Sequence, residues 1–515
     1  MKEESRTKLS IKNVSFSLIT QILTIFLNYI CRFIFVKTLS EEYLGVNGLF
    51  TNILTIFSLA ELGIGSAIIY AMYKPIADND EEKIRKYMNF YKKCYNIIAL
   101  VILSVGLIIL PKLKFFINEG AVIEHLNLIY VLYLLDSVFS YLFVYKSSIL
   151  NAMQKNYICN YYQIIGKIIM TILMSISLII FRNFIVYLTI QISFKLIINI
   201  LISIKADKLY PYIKNTKGYN LEKKDGRQIF KNVYALFCNQ VGTVIINGTD
   251  NIIISKYVNL IAVGLYSNYC LVINALSNFI GQIFNAIVAS VGNLAVKEEA
   301  SKTYDLFKKV HFIDFIISSF CVVMTSSCIN TFIQLSFGKK YLLDNFTVVI
   351  IMINFYLLSM KNVIGTFKYA LGIFWNDKYS TIIRAIINLV LSIIFVKQYG
   401  IVGVFLGTLI SDLLTTFWYQ PYILYKKGFK VSWKNYLVDF FKYTFVTCII
   451  IILVLFIKKY ITISSLLLKL ILEILVAFII YATIIILIYK NSEYFSYLKN
   501  IGSQYTKKIF KSKIK

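Results

Sequence analysis

The chain has 515 residues, of which 58% are hydrophobic and only 16% are charged, and its mean hydropathy is +0.70. A soluble protein of this length would be about a quarter charged, so this composition excludes soluble enzymes and soluble binding domains. The formal net charge of +28 would suggest nucleic-acid binding in a soluble protein. In a membrane protein such basic residues collect in loops and contact anionic lipid headgroups. We therefore expect a polytopic membrane protein with membrane lipids, and no nucleic acid, as partners.

Apolar segments of about 20 residues, the length that crosses a bilayer as a helix, recur along the whole chain. They predict an all-α protein with fourteen transmembrane helices, arranged as two six-helix lobes plus two C-terminal helices. The predicted spans are residues 14–36, 47–72, 94–111, 127–149, 157–181, 183–204, 229–254, 262–293, 312–336, 343–366, 379–396, 400–425, 440–458 and 466–489.

The distribution of Lys and Arg tests this count, because the cytoplasmic loops of membrane proteins are enriched in basic residues. With the N-terminus placed in the cytoplasm, the segments predicted to be inside hold 39 basic residues and the outside loops hold 11. A miscount by one helix would invert the downstream half of this pattern. Fourteen spans with both termini cytoplasmic are therefore predicted.

A basic cytoplasmic connection lies between the sixth and seventh predicted spans, where a linker between two lobes is expected. The predicted domains are an N-lobe at 1–228, a C-lobe at 229–428, and a segment at 429–515 that holds helices 13 and 14 and a basic cytoplasmic tail. A shift of 219 positions places Lys37 on Lys256 and Gly45 on Gly264. Such an internal repeat is typical of secondary transporters.

Ionisable side chains inside the predicted spans are a strong functional signal, because each costs about 2.5–3.5 kcal/mol on insertion scales. Asp314 and Arg384 lie near a predicted cytoplasmic end, where a side chain can extend to the membrane surface. Other residues lie near mid-span and must face a hydrated cavity or one another, namely Glu61, Asp136, Lys167, Lys195 and Asp412. A cavity that binds substrate is favoured for this group, and a purely structural ion pair is the alternative.

Arg32 lies near the outer end of the first predicted span, where its side chain could either extend to the membrane surface or line a cavity, and it is one of only six Arg residues in the chain. A planar guanidinium binds a pyrophosphate group in a bidentate manner, whereas a Lys ammonium offers a point charge. Arg32, Lys167 and Lys195 therefore suit a cavity that binds an anion. The two His residues leave little acid–base chemistry, and no GxxxxGK[ST] loop is present. We expect a protein that is not an enzyme, has no cofactor and does not use ATP.

Polar residues in the seventh, eleventh and twelfth predicted spans form a second group. Asn388 and Ser392 are four residues apart on one helix, as are Val404 and Thr408 on the next, so each pair shares a helix face. Together with the Asp250 carboxylate and a backbone carbonyl near Val404, their oxygens offer a site for a small hard cation. Polar contacts that merely hold helices together are the alternative.

One long stretch, YLGVNGLFTNILTIFSLAELGIGSAIIYAMYKPIADNDEEKIRKYMNFYKK at 43–93, resembles the span-two signature of bacterial polysaccharide flippases. These belong to the multidrug/oligosaccharidyl-lipid/polysaccharide exporter superfamily. Similar pieces follow in the family's order through both halves: VGLYSNYCLVINAL (263–276), VGNLAVKEEA (291–300), ALGIFWNDKYSTIIRAIINLVLSIIF (370–395) and GIVGVFLGTLISDL (400–413).

The resemblance implies two lobes around a central cavity that opens alternately to each side. The implied cargo is a polyprenyl-pyrophosphate-linked oligosaccharide, flipped from the cytoplasmic to the outer leaflet for capsule or exopolysaccharide assembly. A polysaccharide polymerase and other assembly proteins are the implied partners. Arg32 matches a position that binds pyrophosphate in the family.

The resemblance also bears on the coupling ion. In the related lipid II flippases, sodium is bound by residues that Asp250, Asn388, Val404 and Thr408 match, but Ser392 replaces an acidic ligand. Sodium and proton therefore both stay open. Two other functions are alternatives: a multidrug/cation antiporter of the same superfamily, expected to have an acidic cavity, and a membrane polysaccharide polymerase, expected to have a large outside loop.

Overall fold

The computed structural model describes residues 6–57, 59, 61, 64–117, 123–153, 155–216, 218–297, 299–373 and 376–499. Residues 1–5 of the predicted cytoplasmic N-terminus, and 500–515 of the predicted basic tail, lie outside the described residues. Within these ranges the structure is helical apart from turns and connections, and it is α-helical except for three short 3-10 helices and one π-helical segment.

Eighteen α-helices are present in the described ranges. Several begin at a polar side chain that accepts a backbone N–H, namely Asp80 before α4, Asn183 before α8 and Asp344 before α12. The helices are α1 Arg6–Thr38, α2 Glu41–Phe57, α3 Ile64–Ala77, α4 Glu81–Ile109, α5 Leu126–Val144, α6 Ser147–Ala152, α7 Asn156–Phe181, α8 Phe184–Leu209, α9 Lys223–Tyr257, α10 Leu260–Lys297, α11 Ala300–Phe337, α12 Asn345–Ser359, α13 Asn362–Ala370, α14 Ser380–Tyr399, α15 Ile401–Leu414, α16 Thr416–Ile423, α17 Lys434–Lys458 and α18 Leu466–Tyr489.

Twelve segments of the described chain are long and apolar enough to cross a membrane, against the fourteen predicted. They correspond to all the predicted spans except the second and the seventh. The second contains α2 and α3, which are 17 and 14 residues long and are separated by a break. The seventh lies within α9, a helix of 35 residues that carries many polar side chains. The protein is thus an all-α multi-pass membrane protein with about twelve candidate spans, and the predicted orientation stays a prediction.

The chain divides into two compact units, one comprising residues up to Ser267 together with Val396–Val404, and the other comprising Asn268–Phe395 and the residues from Phe405 onward. In the first unit α1 packs on α7, α7 on α8, α8 on α5 and α5 on α4, while α2 packs on α9. This chain of neighbours brings together the helices that carry the mid-span charges of the N-terminal half.

Glycines permit close helix packing in the first unit. A Cβ atom added to Gly45 of α2 would lie 2.1 Å from the carbonyl oxygen of Leu260, at the start of α10. A Cβ atom added to Gly264 of α10 would in turn lie 3.2 Å from the backbone nitrogen of Gly45. Gly45 and Gly264 are related by the 219-residue shift, so these two positions of the sequence repeat pack directly against each other.

In the second unit α11 is the central helix and contacts α12, α13, α17 and α18. Its core is aromatic: Phe315 of α11 stacks on Tyr443 of α17 with ring centroids 4.3 Å apart. His311, which is buried, stacks on Tyr436 of the same neighbouring helix. These ring contacts fix α17 against α11 within the second unit.

Candidate functional site

The three bases predicted inside the spans of the N-terminal half lie on neighbouring helices of the first unit. Arg32 of α1 donates a hydrogen bond from Nη1 to Ser267 Oγ at 3.1 Å. Lys195 of α8 pairs with Asp136 of α5 at 2.5 Å, and its side chain is 46% exposed while that of Asp136 is 13% exposed. The packing of α5 on α8 therefore pairs one of these bases with an acid.

Lys167 differs from the other two bases. It is half-buried on α7, and none of the described carboxylates forms an ion pair with it. Another base, Lys195, acts electrostatically on Lys167, and both Lys167 and Arg32 act on the thiol of Cys31. Since α7 packs on both α1 and α8, these bases form one electropositive cluster. We name Arg32, Lys167, Lys195 and Asp136 the basic cluster.

Glu61 lies at the break between α2 and α3. Its carboxylate accepts a hydrogen bond from the hydroxyl of Tyr95, which in turn accepts one from Tyr91 at 3.2 Å. Gly65 makes room for this arrangement, because a Cβ atom there would lie 2.8 Å from the Tyr91 hydroxyl and 3.0 Å from that of Tyr95. The structure thus places Glu61, between α2 and α3, beside phenol groups of α4.

Asp412 of α15 is the acid at the centre of a buried ion network in the second unit. Its carboxylate lies 2.5 Å and 2.8 Å from Lys361 Nζ, and Oδ1 lies 3.1 Å from Arg384 Nε. Thr416, one turn later, donates a further hydrogen bond. Arg384 therefore pairs with Asp412 and is 15% exposed, whereas its position in the sequence allowed it to extend to the membrane surface.

Asp314 departs from the same expectation. It is fully buried on α11, where it accepts the backbone N–H of Val363 at 3.2 Å and the hydroxyl of Ser318 at 3.1 Å. The first of these bonds satisfies an N–H near the start of α13 that has no partner within its own helix. Asp314 therefore acts within the core of the second unit.

The residues of the predicted cation site are all placed on helices. Asn388 and Ser392 are buried on α14, and Asn388 Nδ2 donates to Thr408 Oγ1 of α15 at 2.9 Å and to Ser392 Oγ at 3.4 Å. Gly407 permits this approach, because a Cβ atom there would lie 2.4 Å from Ser392 Oγ. Asp250 is buried on α9, and Val404 is buried on α15.

One oxygen of this group is left without a hydrogen bond within the described residues. The amide oxygen of Asn388 is buried and accepts no hydrogen bond in the described part of the chain, since the amide nitrogen makes both contacts. A carbonyl-type oxygen left in this way is a suitable ligand for sodium. The structure brings Asn388, Ser392 and Thr408 together within the second unit.

Sequence reasoning missed one pair of interactions. Lys146 lies at the break between α5 and α6 and pairs with Asp207 of α8 at 2.5 Å. Lys361 lies at the break between α12 and α13 and pairs with Asp412 in the same way. In both units a Lys at the break of the fourth helix of a repeat thus bonds an Asp on the sixth. The signal in the sequence was a lone Lys at the end of an apolar run, which loop residues also give.

The comparisons with known proteins agree with this architecture. The family model described as polysaccharide biosynthesis protein matches residues 10–289. No curated protein sequence gives a significant match. Among solved structures, the lipid II flippase MurJ in an inward closed conformation is similar at 17% identity and a TM-score of 0.65, over 94% of this chain and 99% of that chain.

Multidrug transporters share the fold as well. An inward-facing multidrug resistance MATE family transporter of the MOP superfamily is similar at 16% identity and a TM-score of 0.61, over 78% of this chain and 94% of that one. A mutant of the Vibrio cholerae MATE transporter VcmN gives 13% identity and a TM-score of 0.57, over 83% and 98%. The family match covers more than half of the sequence and the structural similarity extends over both units. The chain therefore belongs to the polysaccharide biosynthesis protein family and has the fold of MOP-superfamily transporters.

Proposed function

We propose that this protein is a flippase that moves a polyprenyl-diphosphate-linked oligosaccharide from the inner to the outer leaflet of the bacterial cell membrane. The product would feed capsule or exopolysaccharide assembly, with a polysaccharide polymerase and other assembly proteins as partners. Membership of a polysaccharide biosynthesis family supports the pathway, and the transporter fold supports the type of activity. Neither of these observations identifies the cargo. The charges of the basic cluster support an anionic one.

The observation that carries the proposal is Lys167. A lysine inside a membrane helix without a nearby carboxylate is costly, and a second base close by raises that cost. The basic cluster as a whole has three bases and one acid, and Lys167 is a base with which no described carboxylate forms an ion pair. A diphosphate diester is a dianion and would supply negative charge at this place. Arg32 would bind it in a bidentate manner, and Lys167 and Lys195 would supply point charges.

Glu61, Asp136 and Asp412 have supporting roles in this proposal. Asp136 holds Lys195 in place, so that Lys195 can exchange its carboxylate for the cargo. Glu61 and its tyrosine partners lie at a break in a membrane helix and are suited to the sugar hydroxyls of the cargo. Asp412 holds Lys361 and Arg384 together in the second unit.

An ion gradient would drive the cycle by favouring one state of alternating access, because the sequence has no ATP-binding loop. If sodium is the coupling ion, Asn388, Ser392 and Thr408 would hold it, and its charge would be the signal that biases the two states. Asp250 and Val404 belong to this set through the family resemblance, and a proton is the alternative ion. The fourteen-span topology with cytoplasmic termini, and the domains at 1–228, 229–428 and 429–515, complete the proposal.

A multidrug/cation antiporter is the second candidate, since MATE transporters share the fold. A cationic drug would need a cavity with an excess of acids, because like charges in a low-dielectric site repel strongly. The basic cluster has the opposite excess. The charge of the first unit therefore favours an anionic cargo.

The test is complementation of a deletion strain, with lipid-linked repeat units measured in each leaflet. We expect Lys167→Ala and Arg32→Ala to lower export at least about tenfold and to leave repeat units in the inner leaflet, and Lys167→Arg to retain most of the activity. Lys74→Ala, at an exposed basic residue of α3, is the matched control. Normal export by both alanine variants would remove the assignment of the basic cluster, and a defect in drug export alone would favour the antiporter.

A further inference from the structure

A cavity of about 370 Å³ lies in the first unit, away from the basic cluster, where α4 and α9 begin. Its walls come from three segments: the N-terminal part of α4, residues 220–222 of the connection between α8 and α9, and the first two turns of α9. A volume of this size holds a small ligand or the headgroup of a lipid. The predicted topology places this end of both helices at the cytoplasmic surface of the membrane.

Hydrogen bonds pre-form this cavity. Asn89 of α4 donates to the carbonyl oxygen of Tyr219 at 2.8 Å, and Lys93 Nζ donates to Asn220 Oδ1 at 2.9 Å. Across the opening, Phe90 of α4 and Phe230 of α9 meet edge to face with centroids 6.1 Å apart. The connection is thus fastened to α4, and a ligand would not have to order it.

The charge of the lining is positive. Lys93 and Arg227 face the cavity together with a single acid, Glu222. Arg227 is exposed and forms no ion pair within the described part of the chain. The lining therefore has one positive charge in excess, and the guanidinium is available to an oxyanion. A ligand with a single negative charge would match this arrangement.

An apolar surface continues from the cavity along both helices. On α9 the aromatic side chains of Phe230, Tyr234 and Phe237 are exposed at intervals of one turn. On α4 the side chains of Ile97 and Leu100, four and seven residues after Lys93, are likewise exposed. Exposed apolar side chains of a membrane protein contact acyl chains, so the cavity lies where a lipid headgroup joins its tails.

We propose that this cavity binds the headgroup of an anionic phospholipid with one negative charge, such as phosphatidylglycerol. Arg227 and Lys93 contact the phosphate, and the acyl chains lie along the exposed surfaces of α4 and α9. The bound lipid thereby joins the connection between α8 and α9 to the membrane surface. This site is separate from the cargo site of the proposed flippase and does not depend on that function.

The test is native mass spectrometry of the full-length protein with dioleoyl phosphatidylglycerol, and with dioleoyl phosphatidylcholine for comparison. Wild type should retain one phosphatidylglycerol in preference to phosphatidylcholine. Arg227→Gln and Lys93→Gln should each lower the affinity for phosphatidylglycerol about fivefold, the effect of one basic residue near a membrane surface. Glu222→Gln should raise that affinity about two- to fivefold, because the excess positive charge of the lining increases.

Two variants separate loss of charge from loss of structure. Lys93→Arg keeps the charge and should bind the lipid like wild type. Lys92→Gln removes a charge from an exposed neighbour that does not line the cavity, so it should also bind the lipid like wild type. The proposal is overturned if Arg227→Gln and Lys93→Gln retain phosphatidylglycerol like wild type, or if phosphatidylcholine binds equally well. It is also overturned if undecaprenyl diphosphate displaces the lipid and is itself retained through Arg227, since the ligand would then be the cargo.

Discussion

The ion network around Asp412 permits a quantitative prediction for stability. Asn at this position keeps the shape of the side chain but removes its charge, which leaves Lys361 and Arg384 together without their acid. Their side chains are only 10% and 15% exposed, and that of Asp412 is 4% exposed. Removing one partner of a buried ion pair costs about 3–5 kcal/mol, so Asp412→Asn should lower the free energy of unfolding by about that amount.

The matched control is Asp136→Asn in the first unit. Its partner Lys195 is 46% exposed and, in the hydrated cavity of the proposed function, can turn toward water, so the cost should be only about 0–1 kcal/mol. A third variant, Lys361→Met, leaves Arg384 and Asp412 as a one-to-one pair and should cost less than Asp412→Asn. The assay is reversible unfolding of the purified protein in mixed detergent micelles, followed by circular dichroism. Equal losses for Asp412→Asn and Asp136→Asn would refute the argument from burial.

Two further predictions concern helix packing. Gly45→Val should lower the free energy of unfolding of the purified protein by about 1–3 kcal/mol, because the new side chain would meet the Leu260 backbone oxygen. Gly281→Ala, where the added methyl group has open space, should leave the free energy of unfolding unchanged, and a Gly45→Val protein as stable as wild type would contradict this packing. Lys146→Asp should destabilise the first unit by about 2 kcal/mol, since that pair is mostly buried, and adding Asp207→Lys should restore at least half of the loss in the same assay. If the double variant is no more stable than Lys146→Asp alone, the ion pair is not what holds α8 to the break between α5 and α6.

Hydropathy alone determined most of the membrane architecture. A membrane helix satisfies its backbone hydrogen bonds within its own segment, so each span is a local property that can be read from about 20 residues. The two predicted spans that lack a long apolar helix are those with an interruption or with many polar residues, α2/α3 and α9. Local hydropathy is ambiguous in such segments.

The sequence by itself also identified mid-span charges, because an ionisable group in lipid is costly wherever its partner is. Only the tertiary structure decided which partner each charge has. Asp136 meets Lys195, and Asp412 meets Arg384, because helices distant in the sequence pack together, and neither separation follows a local period. The same holds for a residue that has no ion pair within the described residues. For Lys167 this depends on every helix around it, so no single segment of the sequence contains that information.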